Sequence, residues 1–353
     1  MSEGFPPLIA SLLAGEDLTQ DQAQWAMNEV MSGNASPVAL AGFLIALRAK
    51  GESIAEVTGL AEGMLAHARP IHVPGPCVDI VGTGGDRSFT VNISTMASLV
   101  IAGAGLRVVK HGNRASSSRS GSADVLEALG VNLALPVEAV ERIAEEVGIA
   151  FLFAQAFHPS MRHAGPVRRE LGVATVFNVL GPLTNPARPR AAAIGCADAR
   201  IAPVLAGVLA SRGTSALVFR GEDGLDELAA TAPSAIWDVH DGGVSRSVVD
   251  GAADLGLRPI TIEELRGGDA ATNADVARRV LAGEPGPVRE TVLFNAAAGL
   301  VADGTLPGLA RADGCLVNRM RAALGVAGQA IDSGSAQDVL RRWIAASQRE
   351  SQA

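Results

Sequence analysis

From Val78 onward the chain alternates short β-branched runs with helical windows: "VDIVG", then "STMASLVIAGAG", then "RVVKHG", then "SADVLEALG". Tight hairpins cannot join parallel strands, so strands that alternate with helices imply parallel pairing through crossover helices. This pattern predicts an α/β main body. It continues through "GIAFLFA", "TVFNVLGPLTNPA", "RAAAIGCA", "SALVFRG" and "AIWDV", so the apolar run around Val176 is expected as a further strand. The segment from His158 to about Arg188 is irregular, with prolines at 159, 166, 182 and 186, and is expected to run between two domains.

Residues 1 to about 70 carry helical signals only. Thr19 and Gln22 have capping-box spacing before "AQWAMNEVMSG", and Gly33 is the expected stop. Ser36 as N-cap, Pro37 in the first turn and Gly51 as terminator bracket the next helix. Ser53 and Glu56 repeat the capping box before "VTGLAEGMLAHA". The expected architecture is a small all-helical domain over 1–72, joined by part of about 160–190. A large α/β domain with a central, mostly parallel sheet follows over 73–353.

A chain of 353 residues exceeds what one core usually organises, which suits two domains. With 3% aromatic residues and no Tyr, that core must be mostly aliphatic. The formal charge of −8 disfavours nucleic acid and anionic membrane surfaces as partners, because both need a basic face. Cys77, Cys196 and Cys315 are far apart and form no CxxC, so neither a disulfide framework nor a zinc site is expected. The apolar stretch from Met96 ends at Arg107, short of the ~20 residues a spanning helix needs. The N-terminus has an acid where a signal peptide carries its basic region, and a cytoplasmic location is expected.

Four stretches concentrate polar chemistry. In "VDIVGTGGDRSFTVNIST", glycines at 82, 84 and 85 free the backbone for positive φ, so amides can converge on an anion. A helix starting within "NIST" would add its positive end; a plain strand-to-helix turn with Asn92 or Ser94 as cap fits the same residues. "KHGNRASSSRSGSADVLEALG" offers Lys110, His111, Asn113, Arg114 and Arg119 among serines after a strand, suited to clamping phosphate oxygens, or to a solvated loop. Adjacent carboxylates Asp226 and Glu227 in "GEDGLDEL" repel unless solvated or bridged, and a hard divalent cation bridges them. Arg168 and Arg169 precede the Val176 run. Helical geometry turns them about 100° apart, so one can face a site and match a carboxylate.

Together these motifs resemble the anthranilate phosphoribosyltransferase family. The likeness rests on "GTGGD" with "T.NIST", on "KHGNR..SS..GSADVLEALG", on "HP.M....PVRRELG..T.FN.LGPLTNPA" and on "DGLDE", and it covers nearly the whole chain. It implies the nucleoside phosphorylase/anthranilate phosphoribosyltransferase fold type, with the active site between the domains and a homodimer formed through the helical one. It implies that phosphoribosyl pyrophosphate is held by Gly82, Gly85, Asp86, Thr90, Asn92, Ile93, Ser94 and Thr95. Lys110, His111, Gly112, Asn113, Arg114, Ala115, Ser116, Ser117, Ser118 and Ser122 would complete that site. Gly82, Asn113, His111 and Arg168 match positions facing anthranilate. Two Mg²⁺ ions per monomer are implied, one on Ser94 and Glu227 and one on Asp226 and Glu227.

Three positions depart from the commonest family pattern: Arg87 where a small residue is frequent, Gln155 in place of a proline, and Gly165 in place of a larger aliphatic residue. The implied reaction is attack of the anthranilate amine on the ribose C1 with loss of pyrophosphate, in tryptophan biosynthesis, with no residue assigned as acid or base. Two alternatives share the fold: a pyrimidine nucleoside phosphorylase, which uses inorganic phosphate, and a non-catalytic relative that binds nucleic acid.

Overall fold

The computed structural model describes residues 4–115 and 119–351. Four helices come first: α1 (Phe5–Leu13), α2 (Gln20–Ser32), α3 (Pro37–Lys50) and α4 (Ile54–Ala66). The expected caps are in place. Thr19 and Gln22 cap α2 reciprocally, Ser36 caps α3 and Ser53 pairs with Glu56 on α4. Gly33 ends α2 at φ +78°, in the left-handed region. Glu56 is fully buried and also accepts from Leu18 N at 3.0 Å and Lys50 Nζ at 2.9 Å, so its charge is paired inside the bundle. Helices α2 and α4 touch backbone to backbone, because a Cβ at Gly59 would stand 2.1 Å from the Gln20 carbonyl oxygen.

The sheet has seven strands: β1 (Val78–Gly82), β2 (Val108–Gly112), β3 (Ile149–Phe153), β4 (Ala191–Gly195), β5 (Ser215–Gly221), β6 (Ser234–His240) and β7 (Gly243–Val249). Their order is β3-β2-β1-β4-β5-β6-β7, and β1 to β5 are parallel, as expected for α/β. The last two strands form an antiparallel hairpin, which the alternation rule does not foresee. Its two-residue turn, Asp241 at φ +48° and Gly242 at φ +73°, is the Asp-Gly pattern that such hairpins favour.

Helix α5 (Ile93–Gly103) follows β1, and α6 (Ser122–Leu129) and α7 (Val137–Val147) follow β2. One face of the sheet packs α5 and the helices Pro287–Asp303, Leu316–Asp332 and Ser335–Glu350 into an aliphatic core. The other face packs Ala202–Ser211 and continues into the bundle core, with Leu60, Val208, Val218, Val167 and Phe177 in one buried cluster. The expected strand at Val176 does not form. Thr175 and Asn178 cap a short 3-10 turn over Val176–Asn178, and Gly181–Leu183 forms another. Pro182 and Pro186 lack the N–H a ladder needs, so the apolar residues bury as turns between the domains.

In this order β1 is paired with β2 on one side and β4 on the other, and the connections from the two strands run apart. Open α/β sheets bind ligands at such a switch point, beyond the carboxyl ends of the strands. Here those ends are Gly82 and Gly195, directly paired.

Candidate active site

The acidic loop crosses the sheet at that point. A Cβ on Gly82 would lie 2.4 Å from Asp226 Oδ2, and one on Gly195 only 1.7 Å from the Asp226 carbonyl oxygen. Both glycines are therefore demanded by the passage of the loop over the strand ends. Asp226 Oδ2 accepts from Gly84 N at 2.7 Å, which ties the acidic loop to the glycine loop. Thr83 N donates to Gly195 O at 2.9 Å and fixes the start of that loop.

The glycine loop and the loop after β2 enclose a cleft of about 260 Å³ lined by residues 81–87, Phe89, Ser94, 110–115, Gly121 and Ser122. It thus gathers Gly82, Gly85, Asp86, Ser94, Lys110, His111, Gly112, Asn113, Arg114, Ala115 and Ser122 from the sites expected in the sequence. Ser116, Ser117 and Ser118 lie outside the described residues. Thr90, Asn92, Ile93 and Thr95 support the cleft from behind. Thr90 pairs with Arg266 in an isolated antiparallel bridge, Ile93 and Thr95 are fully buried, and Asn92 Nδ2 donates to Ser120 O at 3.1 Å. Asn273 Nδ2 donates in turn to Asn92 Oδ1 at 2.8 Å, so Asn92 is a strut between loops and not a side-chain cap.

Lys110 is buried, with Nζ 2.5 Å from Ile80 O and 3.2 Å from Ser94 Oγ. Burial lowers its pKa against the opposing pull of Asp79 and Glu227. Asp79 lies inside β1, accepts from His111 N at 3.2 Å and from Asn185 Nδ2 at 2.8 Å, and is pushed up to about 6 by burial. Neither Asp79 nor Asn185 was expected among the site residues; the visible signal was a carboxylate inside the apolar run "VDIVG". His111 turns Nδ1 to Gly181 O at 3.1 Å, and its buried Nε2 has no partner among the described residues. Burial first, then the neighbouring His158 ring at 5.2 Å, lowers its pKa to about 3, so it is neutral at pH 7.

Arg114 lines the cleft but is engaged elsewhere. Its guanidinium binds both Glu127 oxygens, at 2.5 and 2.8 Å, and Asp124 at 3.0 Å, all on α6. Asp124 also accepts from Ala115 N and Gly121 N at 3.0 and 2.8 Å and so closes the loop. Arg87 is exposed at φ +61° and Phe89 follows at φ +54°. Left-handed backbone costs a residue with a Cβ about 1–2 kcal/mol, a cost that a glycine at position 87 would not carry. Gln155 is exposed, and a Cβ at Gly165 would meet nothing within 4 Å, so neither departure disturbs the cleft.

Asp226 and Glu227 both have raised pKa values. Burial is the first cause for each; Asp86 adds repulsion to Asp226, and Asp226 adds it to Glu227. Asp86 Oδ2 is itself buried and has no partner among the described residues. Among the described residues no three His, Cys, Asp or Glu side chains form a ready-made metal cage. Mg²⁺ does not need one, because it takes one or two carboxylates with waters and substrate phosphates. The all-oxygen donor set and the crowded carboxylates fit that ion.

Arg168 sits 5.1 Å over the Phe177 ring and has no carboxylate partner among the described residues, whereas Arg169 is exposed. Burial lowers the Arg168 pKa, the mark of an uncompensated charge. Arg168 does not line the cleft. The segment after its helix does line a second cavity of about 400 Å³, with Ala174, Thr175 and Asn178 facing Gly84 and Gly85 from the far side of the glycine loop. Arg48 and Asp198, paired at 2.9 Å across the domains, close that cavity.

The α/β domain of a glycosyl transferase family matches residues 74–337, and the helical bundle domain of a glycosyl transferase family matches residues 6–68. An anthranilate phosphoribosyltransferase from Arthrobacter sp. (strain FB24) is 60% identical over 341 residues, 97% of this chain and 95% of the relative. The crystal structure of the anthranilate phosphoribosyltransferase from Thermus thermophilus superposes with a TM-score of 0.89 at 42% identity, over 97% of this chain and 99% of that one. The enzyme from Saccharomyces cerevisiae, in complex with PRPP and Mg, gives 0.86 at 25% identity over 99% of each chain. Sequence, fold and cleft agree, and the chain belongs to the anthranilate phosphoribosyltransferase family.

Proposed function

We propose that the cleft at the β1/β4 switch point holds phosphoribosyl pyrophosphate and transfers its phosphoribosyl group to the amine of anthranilate. The products are N-(5-phosphoribosyl)anthranilate and pyrophosphate, in tryptophan biosynthesis. The observation that carries this reading is the meeting of three loops: the glycine loop and the loop after β2 enclose the cleft with Lys110 in its lining, and the buried Asp226/Glu227 pair stands behind that lining, tied to it by the bond of Gly84 N to Asp226.

In the reaction the amine forms a bond to C1 as the bond from C1 to the pyrophosphate oxygen breaks, and the departing oxygens gather negative charge. Lys110 and the glycine-loop amides beyond Gly84, whose own N–H is taken by Asp226, would stabilise that charge from fixed positions. Ser94, Asp226 and Glu227 would hold two Mg²⁺ ions, which supply Lewis-acid neutralisation of the leaving group when bound. Arg168 would pair with the anthranilate carboxylate, while Asn113 and Gly82 border the acceptor. His111 keeps its ring neutral and offers Nε2 as a hydrogen-bond acceptor to the amine. The amine loses its proton to water or to the departing pyrophosphate once the C–N bond forms, so no dedicated base is assigned. Thr90, Asn92, Ile93 and Thr95 act by holding the loops in register, and Arg114 braces the loop after β2 from α6.

We read residues 1–72, with part of about 160–190, as the helical unit and 73–353 as the α/β unit. We propose a cytoplasmic homodimer formed through the helical unit, where Val38 and Leu13 are 83% and 74% exposed. Among the described residues no helix is long and apolar enough to cross a membrane. The test is the loss of anthranilate fluorescence on adding phosphoribosyl pyrophosphate and Mg²⁺, run beside thymidine or uridine with phosphate. Phosphorolysis of a nucleoside without consumption of anthranilate would overturn the reading.

A further inference from the structure

We propose that Arg87 is a phosphate-binding residue of this chain, a guanidinium that the glycine loop brings onto the phosphates of phosphoribosyl pyrophosphate. The proposal rests on the function argued above and follows from the charges around the cleft. Lys110 is committed to Ile80 O and Ser94 Oγ and faces two carboxylates. Arg114 is held by Glu127 and Asp124. His111 is neutral. Of the guanidinium and ammonium groups lining the cleft, Lys110 and Arg87 form no ion pair among the described residues, but Lys110 is buried on its two hydrogen bonds, whereas Arg87 is exposed and its side chain makes none there. A polyanionic substrate must also come close to Asp86, Asp226 and Glu227, and an uncommitted cation at the rim offsets that repulsion.

The backbone suits this role. The loop is pinned at its start by the bonds of Thr83 N to Gly195 O and Gly84 N to Asp226. It is pinned at its end by Gly267 N donating to Phe89 O at 2.8 Å and by the Thr90–Arg266 bridge. Between these anchors Ser88 N donates to Asp86 Oδ1 at 3.2 Å and braces the turn on which Arg87 stands. Arg87 keeps a left-handed conformation that a glycine would adopt freely. A guanidinium at this place gains from phosphate contact what the backbone conformation costs.

The test is calorimetric binding of phosphoribosyl pyrophosphate with Mg²⁺ to the full-length wild type, Arg87→Ala and Arg87→Lys, at two ionic strengths. Arg87→Ala is expected to bind about ten-fold more weakly and to lose part of the salt dependence. Arg87→Lys is expected to recover the salt dependence but only part of the affinity. The anthranilate KM and the melting temperature should be unaffected or, for the latter, raised. Affinity within about two-fold of wild type with the same salt dependence overturns the proposal. Because the titration contains no acceptor, it reads Arg87 independently of whether the wild type consumes anthranilate.

Discussion

Substituting Gly195 by alanine adds one methyl group at a position that lines neither cavity, yet the geometry predicts loss of catalysis. The new Cβ would stand 1.7 Å from the Asp226 carbonyl oxygen and 2.6 Å from its carbon, where real contacts do not fall below 3.0 Å. The obstacle is backbone, so no side chain can swing aside, and the acidic loop or β4 must retreat by more than an ångström. That retreat breaks the 2.7 Å bond from Gly84 N to Asp226 Oδ2, which joins the acidic loop to the glycine loop. Overpacking of this kind costs about 1–3 kcal/mol of stability. A misplacement of an ångström at reacting groups costs on the order of 10² in rate. The assay is Mg²⁺-dependent loss of anthranilate fluorescence, with thermal unfolding alongside. Gly325→Ala is the matched control: it lies inside the helix Leu316–Asp332, and its Cβ would meet nothing within 4 Å. There a helix-favouring methyl should leave turnover unchanged and stability equal or higher by up to about 1 kcal/mol. Gly195→Ala turning over within about three-fold of wild type would refute the argument that the glycines exist to admit the acidic loop.

Arg168→Ala should raise the anthranilate KM by about 10- to 100-fold while changing that for phosphoribosyl pyrophosphate little, with Arg168→Lys intermediate; equal effects on both substrates, read by steady-state kinetics, contradict its pairing with the acceptor carboxylate. Asp226→Asn with Glu227→Gln should abolish Mg²⁺-dependent turnover while thermal unfolding stays cooperative, since the change removes repulsion between crowded carboxylates; full activity in the double variant refutes the metal assignment. His158 is buried, donates Nε2 to Thr184 O at 2.9 Å and has its pKa lowered to about 4 by burial. Between that value and an unfolded value of about 6.5 the unfolded chain binds the extra proton, so this stability is present above the window and lost as pH falls through it, by roughly 3 kcal/mol in all. Denaturant unfolding from pH 7 to 4.5 should therefore show a shallower acid loss in His158→Gln, and identical slopes in the two proteins refute the linkage.

The sequence was most legible where local chemistry decides. Thr19, Ser36 and Ser53 announce helix starts because a cap needs only its own next turn, and each is found capping. The parallel strands were legible from period and composition, and α5 begins within "NIST" as expected. What stayed hidden depends on partners distant in the chain. Gly82 reads as an anion-cradle residue until the Asp226 loop, some 140 positions on, is seen to occupy the space of its Cβ. Arg114 reads as a free cation until Asp124 and Glu127 return on the next helix to bind it. The Val176 run failed as a strand because burial was read as pairing; its apolar side chains do bury, but in turns set by Thr175 and Pro182. Asn92 shows the same limit, since its partner Asn273 lies in a different part of the chain.

The central claim is that one cleft binds the phosphates and the metal together, between the glycine loop and the Asp226/Glu227 pair. Its most direct measurement is a crystal structure with phosphoribosyl pyrophosphate and Mn²⁺ in place of Mg²⁺, with the metal located by its anomalous signal. Anomalous density bridging the diphosphate to the Asp226 and Glu227 carboxylates, with the ribose beside Lys110, is the predicted result. Metal bound away from both carboxylates, or the substrate seated outside the cleft lined by Gly82 and Ser94, would contradict it.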